Sequence, residues 1–210
     1  MGTRDAAAAL GRTGPDAMGT APFAAWSERH PAVSLAGYAA AAAEAELLIN
    51  ATAGHASVDC LAAAGARNLA GKVLIDAATP NDFTTPVAHP MPSPWGTPAP
   101  ILNPAITDSL AEQIQRAFPA TKVVKAVNTL AAHLMTDPTA LAGGDHTVFL
   151  SGDDAGAKAQ VRDLLTAYGW QGVIDLGELT TARGTEMIQP LYLALTRALG
   201  HEHFDFKIVR

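Results

Sequence analysis

Four short stretches carry the residues best placed to do chemistry. Gly2-Thr3-Arg4, Ala51-Thr52-Ala53, Ala77-Ala78-Thr79-Pro80 and Asn128-Thr129 each stand where an extended or apolar run ends. Open parallel sheets bind ligands outside the carboxyl ends of their strands. Side chains this small let the backbone come close to a flat ligand lying along that edge. Thr3 and Arg4 bear most on the identity of such a ligand. A site that reads a ribose 2′-hydroxyl places an acidic side chain at the end of the second strand. A hydroxyl and a guanidinium there suit a 2′-phosphate dianion instead, because arginine offers it a charge-assisted fork. The alternative is an exposed arginine with no role.

Other constellations are missing. The chain has no H-E-x-x-H, no paired-cysteine metal motif, no P-loop and no G-x-S-x-G. His201-x-His203 lacks an evident third metal ligand, so no metal site is expected. His55 opens a helical pattern at a strand end and suits either a structural or an acid–base role, and Asp76 closes an apolar strand as a hydrogen-bonded carboxylate. Cys60 is the single cysteine, which excludes an internal disulfide and fits a small core residue in a reducing, cytoplasmic setting. The net charge of −6 argues against nucleic acid and anionic membranes as partners. No apolar run reaches the roughly 18 residues of a membrane span, and the opening residues lack the basic and apolar regions of a secretion signal.

The elements that must position these residues alternate. "VSLAG" (33–37), "LLINAT" (47–52), "KVLIDA" (72–77), "KVVKAV" (122–127), "TVFLSG" (147–152) and "GVIDLG" (172–177) read as short strands, and most lead into helical patterns. Apolar runs without alternation are the mark of strands covered on both faces of a parallel sheet, and their alternation with helices reads as βαβ units. "DSLAEQIQRAFP" carries a capping box, Ser109 with Glu112, and an apolar face of Leu110, Ile114 and Phe118. Asp153 is the expected cap of the helix that follows, with Gly169 its left-handed stop. Residues 84–104 hold seven prolines and so predict a long rigid loop, in which Met91 and Trp95 suggest a substrate-facing flap. Met187, Leu191, Leu195 and Leu199 form a stripe suited to core or dimer contact on a last long helix, where Pro190 marks a kink or a first turn. "HFDFKIV" alternates like a terminal strand.

"DSLAEQIQRAFPATKVVKAVNT", "SGDDAGAKAQVRDLL" and "IDLGELTTARGTE", in that order, resemble the F420-dependent NADP oxidoreductase (NADPH-dependent F420 reductase-like) family. The resemblance runs from Gly2 to the closing "FDFKIVR". It implies a Rossmann-like, mostly parallel α/β sheet over residues 1–128 and a small C-terminal α/β subdomain, residues 129–210, for substrate and dimer contacts. By the same resemblance Thr3 and Arg4 would contact the 2′-phosphate of NADP(H), with Gly2 beside them among the cofactor-binding residues. Thr52, Ala53, Ala77, Thr79 and Pro80 would lie along the dinucleotide, and Asn128 near the nicotinamide and the acceptor. The implied reaction is hydride transfer between NADP(H) and coenzyme F420 or a related small-molecule redox acceptor, by a homodimer, without a protein acid or base. Two departures stand out. The third strand ends Ala-Thr-Pro, where the family more often has Thr-Asn-Pro. The family's first strand and G-x-G-x-x-G turn have no counterpart in the sequence, so the resemblance implies an N-terminally shortened member with weak cofactor affinity. "LGRTGPDAMG" has glycines without the spacing, and "LLINAT" is left with an open edge that "VSLAG" could move up to close. The alternatives are a binding or interaction remnant of the family, or an NADP-dependent reductase of another acceptor, a metal or an imine.

Overall fold

The computed structural model describes residues 1–14 and 21–209, so the end of "LGRTGPDAMG" and Arg210 lie outside the described residues. Its strands are β1 (Gly2–Thr3), β2 (Ala36–Gly37), β3 (Leu47–Asn50), β4 (Val73–Asp76), β5 (Asn81–Asp82), β6 (Ile101–Leu102), β7 (Lys122–Ala126), β8 (Thr147–Ser151) and β9 (Gly172–Asp175). Its helices are α1 (Ala6–Gly11), α2 (Phe23–Arg29), α3 (Tyr38–Glu44), α4 (Ser57–Ala64), α5 (Ala66–Leu69), α6 (Leu110–Ala117), α7 (Ala132–Thr136), α8 (Ala155–Ala167), α9 (Ala182–Glu186) and α10 (Gln189–Leu199).

A five-stranded sheet in the order β3-β4-β7-β8-β9 forms the centre. Its pairs are parallel except β7 with β8. The mostly parallel sheet expected from the apolar runs, and the Rossmann-like α/β architecture that the resemblance implies, are therefore present. Alternation along the strands sends side chains to two helical layers. Leu74 and Val123 pack with Leu69, Leu110 and Ile114 on one face. Val73, Ile75 and Val124 pack with Leu134, Val161 and Leu165 on the other. Both layers exclude water, which is why β4 is buried at all four positions.

The edges differ from expectation. "VSLAG" keeps only Ala36–Gly37 as strand, and these pair with Gly2–Thr3 in a separate parallel ribbon rather than with β3. Two residues per strand make too few ladder bonds to extend further, and the ribbon rests on α3 through Tyr38 and Ala41. In the five-stranded sheet β3 pairs with β4 alone, and its other edge shares a groove of about 520 Å³ with Met1 and Gly2. Ile49 on that strand is 56% exposed.

Further along, Ser109 caps α6 through the Glu112 amide while its hydroxyl donates to the Glu112 carboxylate at 2.7 Å. Asp154, and not Asp153, caps α8, because Asp153 instead accepts the Leu179 amide and ties down the turn after β9. Gly169 stops that helix region at φ 101°, as its left-handed role requires. The last apolar pattern divides into a 3-10 turn at 179–181, α9 and α10, with Pro190 in the first turn of α10. Core contacts of α10 fall to Tyr192, Leu193 and Thr196, so Leu191 and Leu199 of the expected stripe face outward. The alternating tail forms no strand. It lies along β8 through the Phe206 carbonyl, which accepts the Thr147 amide, and through an Asp205–His146 contact of 2.5 Å. No helix among the described residues is long and apolar enough to cross a membrane.

Candidate functional site

The carboxyl ends of β3 and β4 open into a cleft of about 300 Å³. Its floor comes from the two turns that leave those strands, Ala51-Thr52-Ala53-Gly54 and Ala77-Ala78-Thr79. Phe83, Ala132 and Met135 close its sides. The turns are small because they touch. A Cβ on Gly54 would stand 2.0 Å from the Thr79 carbonyl oxygen, so only glycine allows this approach. Ala51 and Thr52 also line the groove that runs to Gly2, so groove and cleft meet at one turn.

Of the residues singled out from sequence, Thr52, Ala53, Ala77 and Thr79 line the cleft together. Pro80 is buried immediately behind Thr79. Gly2 lines the adjoining groove, Thr3 is half-buried at the end of β1, and Arg4 is exposed just beyond it. Asn128 sits after β7, 7% exposed, where its side-chain amide donates to the Thr185 carbonyl at 2.9 Å. That contact joins the end of β7 to α9. Val127 beside it has φ 54°, a left-handed conformation that costs a β-branched residue and that the surrounding packing must hold.

Several lining residues carried no signal in the sequence. Gly54 is one of 18 glycines, and only its approach to Thr79 sets it apart. Asn81 follows Pro80 and brings a carboxamide to the cleft wall, with its Oδ1 buried and unpartnered. That carboxamide stands two positions beyond the Thr79 that replaces the family's usual asparagine. Phe83, 66% exposed, borders both the cleft and a second cavity of about 410 Å³ under the proline-rich loop. The loop is closed at its base by β5 pairing with β6. Met91 packs against Ala99, Tyr192 and Leu193, and the cleft lining holds Phe83 rather than Met91 or Trp95. His55 also reaches the cleft. His203 meets His133 ring to ring, with 3.0 Å between nitrogens.

Beneath the turns lies a buried ionic group. Lys125, Asp76 and Glu186 are each at most 2% exposed, and Lys125 Nζ stands 2.9 Å from both carboxylates. Burial pulls the lysine down, but Asp76 and Glu186 outweigh it and hold the ammonium above its ordinary range. Burial raises Glu186, against the pull of Lys125. Glu186 also accepts the Leu110 and Ala111 amides at the start of α6, where the helix end favours negative charge.

The fold and the cleft define a class: an α/β protein with a ligand-binding edge at the carboxyl ends of parallel strands. Comparison with protein-family models and with curated proteins found no match. Among solved structures, a protein of Arthrobacter sp. FB24, named for a proposed F420-dependent NADP-reductase activity, is 53% identical, with a TM-score of 0.90. The match covers all of this chain and 87% of that one. A hypothetical protein, SMa0349, from Sinorhizobium meliloti is 25% identical over 76% of this chain and 70% of its own, with a TM-score of 0.52. A Pseudomonas putida KT2440 protein named as an oxidoreductase shares the fold alone, at 17% identity and a TM-score of 0.53 over 84% of this chain and 50% of that one. The chain belongs to the F420-dependent NADP reductase family, and it is an oxidoreductase by class.

Proposed function

We propose that this protein transfers a hydride between NADP(H) and coenzyme F420 or a related flavin-like acceptor. The observation that carries the reading is the cleft floored by two turns of small residues at adjacent strand ends, with a second groove that reaches Gly2 adjoining it at Ala51 and Thr52. These residues fit a flat ligand: the close Gly54–Thr79 contact draws the two turns together, and the small side chains of Ala51, Thr52, Ala53, Ala77 and Ala78 line the cleft beside them. Thr3 and Arg4 would hold the 2′-phosphate, with Gly2 beneath it. Thr52, Ala53, Ala77, Thr79 and Pro80 would flank the dinucleotide, and Asn128 would brace the nicotinamide end from behind. When bound, NADPH supplies the hydride. The protein's part is to bind, orient and exclude water, work that needs no acid–base residue.

Phe83 and the proline-rich loop give the acceptor an apolar, aromatic wall beside the cleft. Residues 1–128 would then serve the dinucleotide and residues 129–210 the acceptor side and a dimer contact, with the outward Met187, Leu191 and Leu199 the surface for a second copy. The Arthrobacter protein's name supports this acceptor class. Anaerobic assays with NADPH against F420, a flavin and an imine test the reading. F420 reduction coupled one-to-one to NADPH oxidation supports it, and faster imine turnover favours a different acceptor.

A further inference from the structure

Asn50, Asp76 and Lys125 are direct partners across three adjacent strands, because the register sets Asn50 opposite Asp76 and Asp76 opposite Lys125. The next partner, on β8, is Ser151, whose hydroxyl accepts from Thr181 at 2.7 Å. One buried polar rung therefore crosses the sheet at the level where the strands end. Its bonds run outward to the cleft. Asn50 Oδ1 accepts from the Thr52 hydroxyl at 2.7 Å and from the Thr52 amide at 3.3 Å. Asn50 Nδ2 donates to Asp76 at 2.8 Å and to Ser57 at 3.0 Å. Asp76 accepts the Ala78 amide at 3.2 Å, and Lys125 Nζ donates to the Ala78 carbonyl. Ala78 is thus pinned at both its amide and its carbonyl.

Burying an ammonium between two carboxylates is a poor way to stabilise a core, since apolar residues of the same volume do as well or better. What such residues could not supply is the set of directed bonds to Thr52 and Ala78. We infer that the Asn50–Asp76–Lys125 rung is a positioning device for the two cleft turns, with Asn50 setting Thr52 and the Asp76–Lys125 pair setting Ala78. Glu186 carries the same rung to α6 and α9, so the turn positions are coupled to the helices on the acceptor side of the cleft. This inference rests on the proposed reading of the cleft as the dinucleotide site. The three residues are assigned as positioning groups, with Asp76 and Lys125 fully buried and Asn50 2% exposed at the wall of the adjoining groove.

The test compares wild type with Asn50→Ala, Thr52→Val and the double variant, well below each melting temperature. Two readings are taken: amide hydrogen exchange and steady-state kinetics with NADPH. In Asn50→Ala the Ala78 amide, which Asn50 holds only through Asp76, is expected to exchange about tenfold faster, with the β7 amides unchanged. KM for NADPH is expected to rise about tenfold with kcat within about twofold, and the double variant to be no worse than Asn50→Ala alone. Unchanged exchange at Ala78, or losses that multiply in the double variant, would overturn the positioning role. If wild type oxidises no NADPH with any acceptor, the proposed function falls and the exchange at Ala78 alone decides the rung. Should Asn50→Ala fail to fold, Asn50→Ser, which keeps a hydroxyl, is read by the same criteria.

Discussion

Arg4 and Gly54 carry the most specific consequences at the scale of single residues. In the proposed function the Arg4 guanidinium, just beyond β1, would discriminate a 2′-phosphate from a 2′-hydroxyl by a charge-assisted fork. Arg4→Ala is expected to raise KM for NADPH at least about tenfold and to leave KM for NADH nearly unchanged. Equal losses with the two cofactors, measured side by side, would mean that Arg4 does not read the phosphate. Gly54→Ala forces a methyl against the Thr79 carbonyl. The clash should spread the two cleft turns and cost about 1–3 kcal/mol, visible as a lower denaturation midpoint together with weaker NADPH binding. A midpoint and an affinity both equal to wild type would show that the turns are not held in contact.

At the scale of elements, α6 and α9 are clamped by Glu112 and Arg183, with contacts of 2.6 and 2.8 Å. Hydrogen bonding from Arg183, aided by Ser109, holds the Glu112 carboxyl below the ordinary glutamate range. A carboxylate lowered by folding adds stability at pH values above its unfolded range, and that contribution is lost as pH falls through the folded value. Wild type is therefore expected to lose melting temperature on acidification more steeply than Glu112→Gln, with the two curves converging at low pH. Parallel curves would remove the clamp from the account. The sequence announced this helix through its capping box and its apolar face, both local signals. It did not announce Arg183, 71 residues further on, because the pairing depends on where α9 lands. The strands were legible for the same local reason, as β-branched runs between breakers. The tail was not: "HFDFKIV" has the period of a strand, but its backbone bonds to the amide and hydroxyl of the single residue Thr147, while Asp205 and Lys207 hold it through side chains.

For the molecule as a whole, the sheet order was legible only in class. Small residues at strand ends pointed to the cleft because a continuous apolar run followed by Ala-Thr or Ala-Ala is a pattern within one segment. The polar rung was invisible, since it exists only once β3, β4 and β7 are in register, and no single stretch of sequence encodes a register between three strands. The outward stripe of α10 belongs to this scale as well. Leu191 and Leu199 are about half exposed, and Met187 just before the helix is 40% exposed, an apolar patch that solvent would otherwise cover. If it seats a second copy, Leu191→Glu should shift the sedimentation profile from dimer to monomer without lowering the melting temperature at low concentration. A wild-type monomer at assay concentrations would refute the contact.

In the proposed function the cleft brings NADPH and coenzyme F420 into direct hydride transfer. Its most direct measurement uses NADPH deuterated at the transferable position, mixed anaerobically with the protein and F420, followed by mass analysis of the reduced F420. One deuterium is expected in the product, with a primary isotope effect when transfer limits the rate and far slower turnover with NADH. Reduced F420 without deuterium, or equal rates with NADPH and NADH, would contradict it.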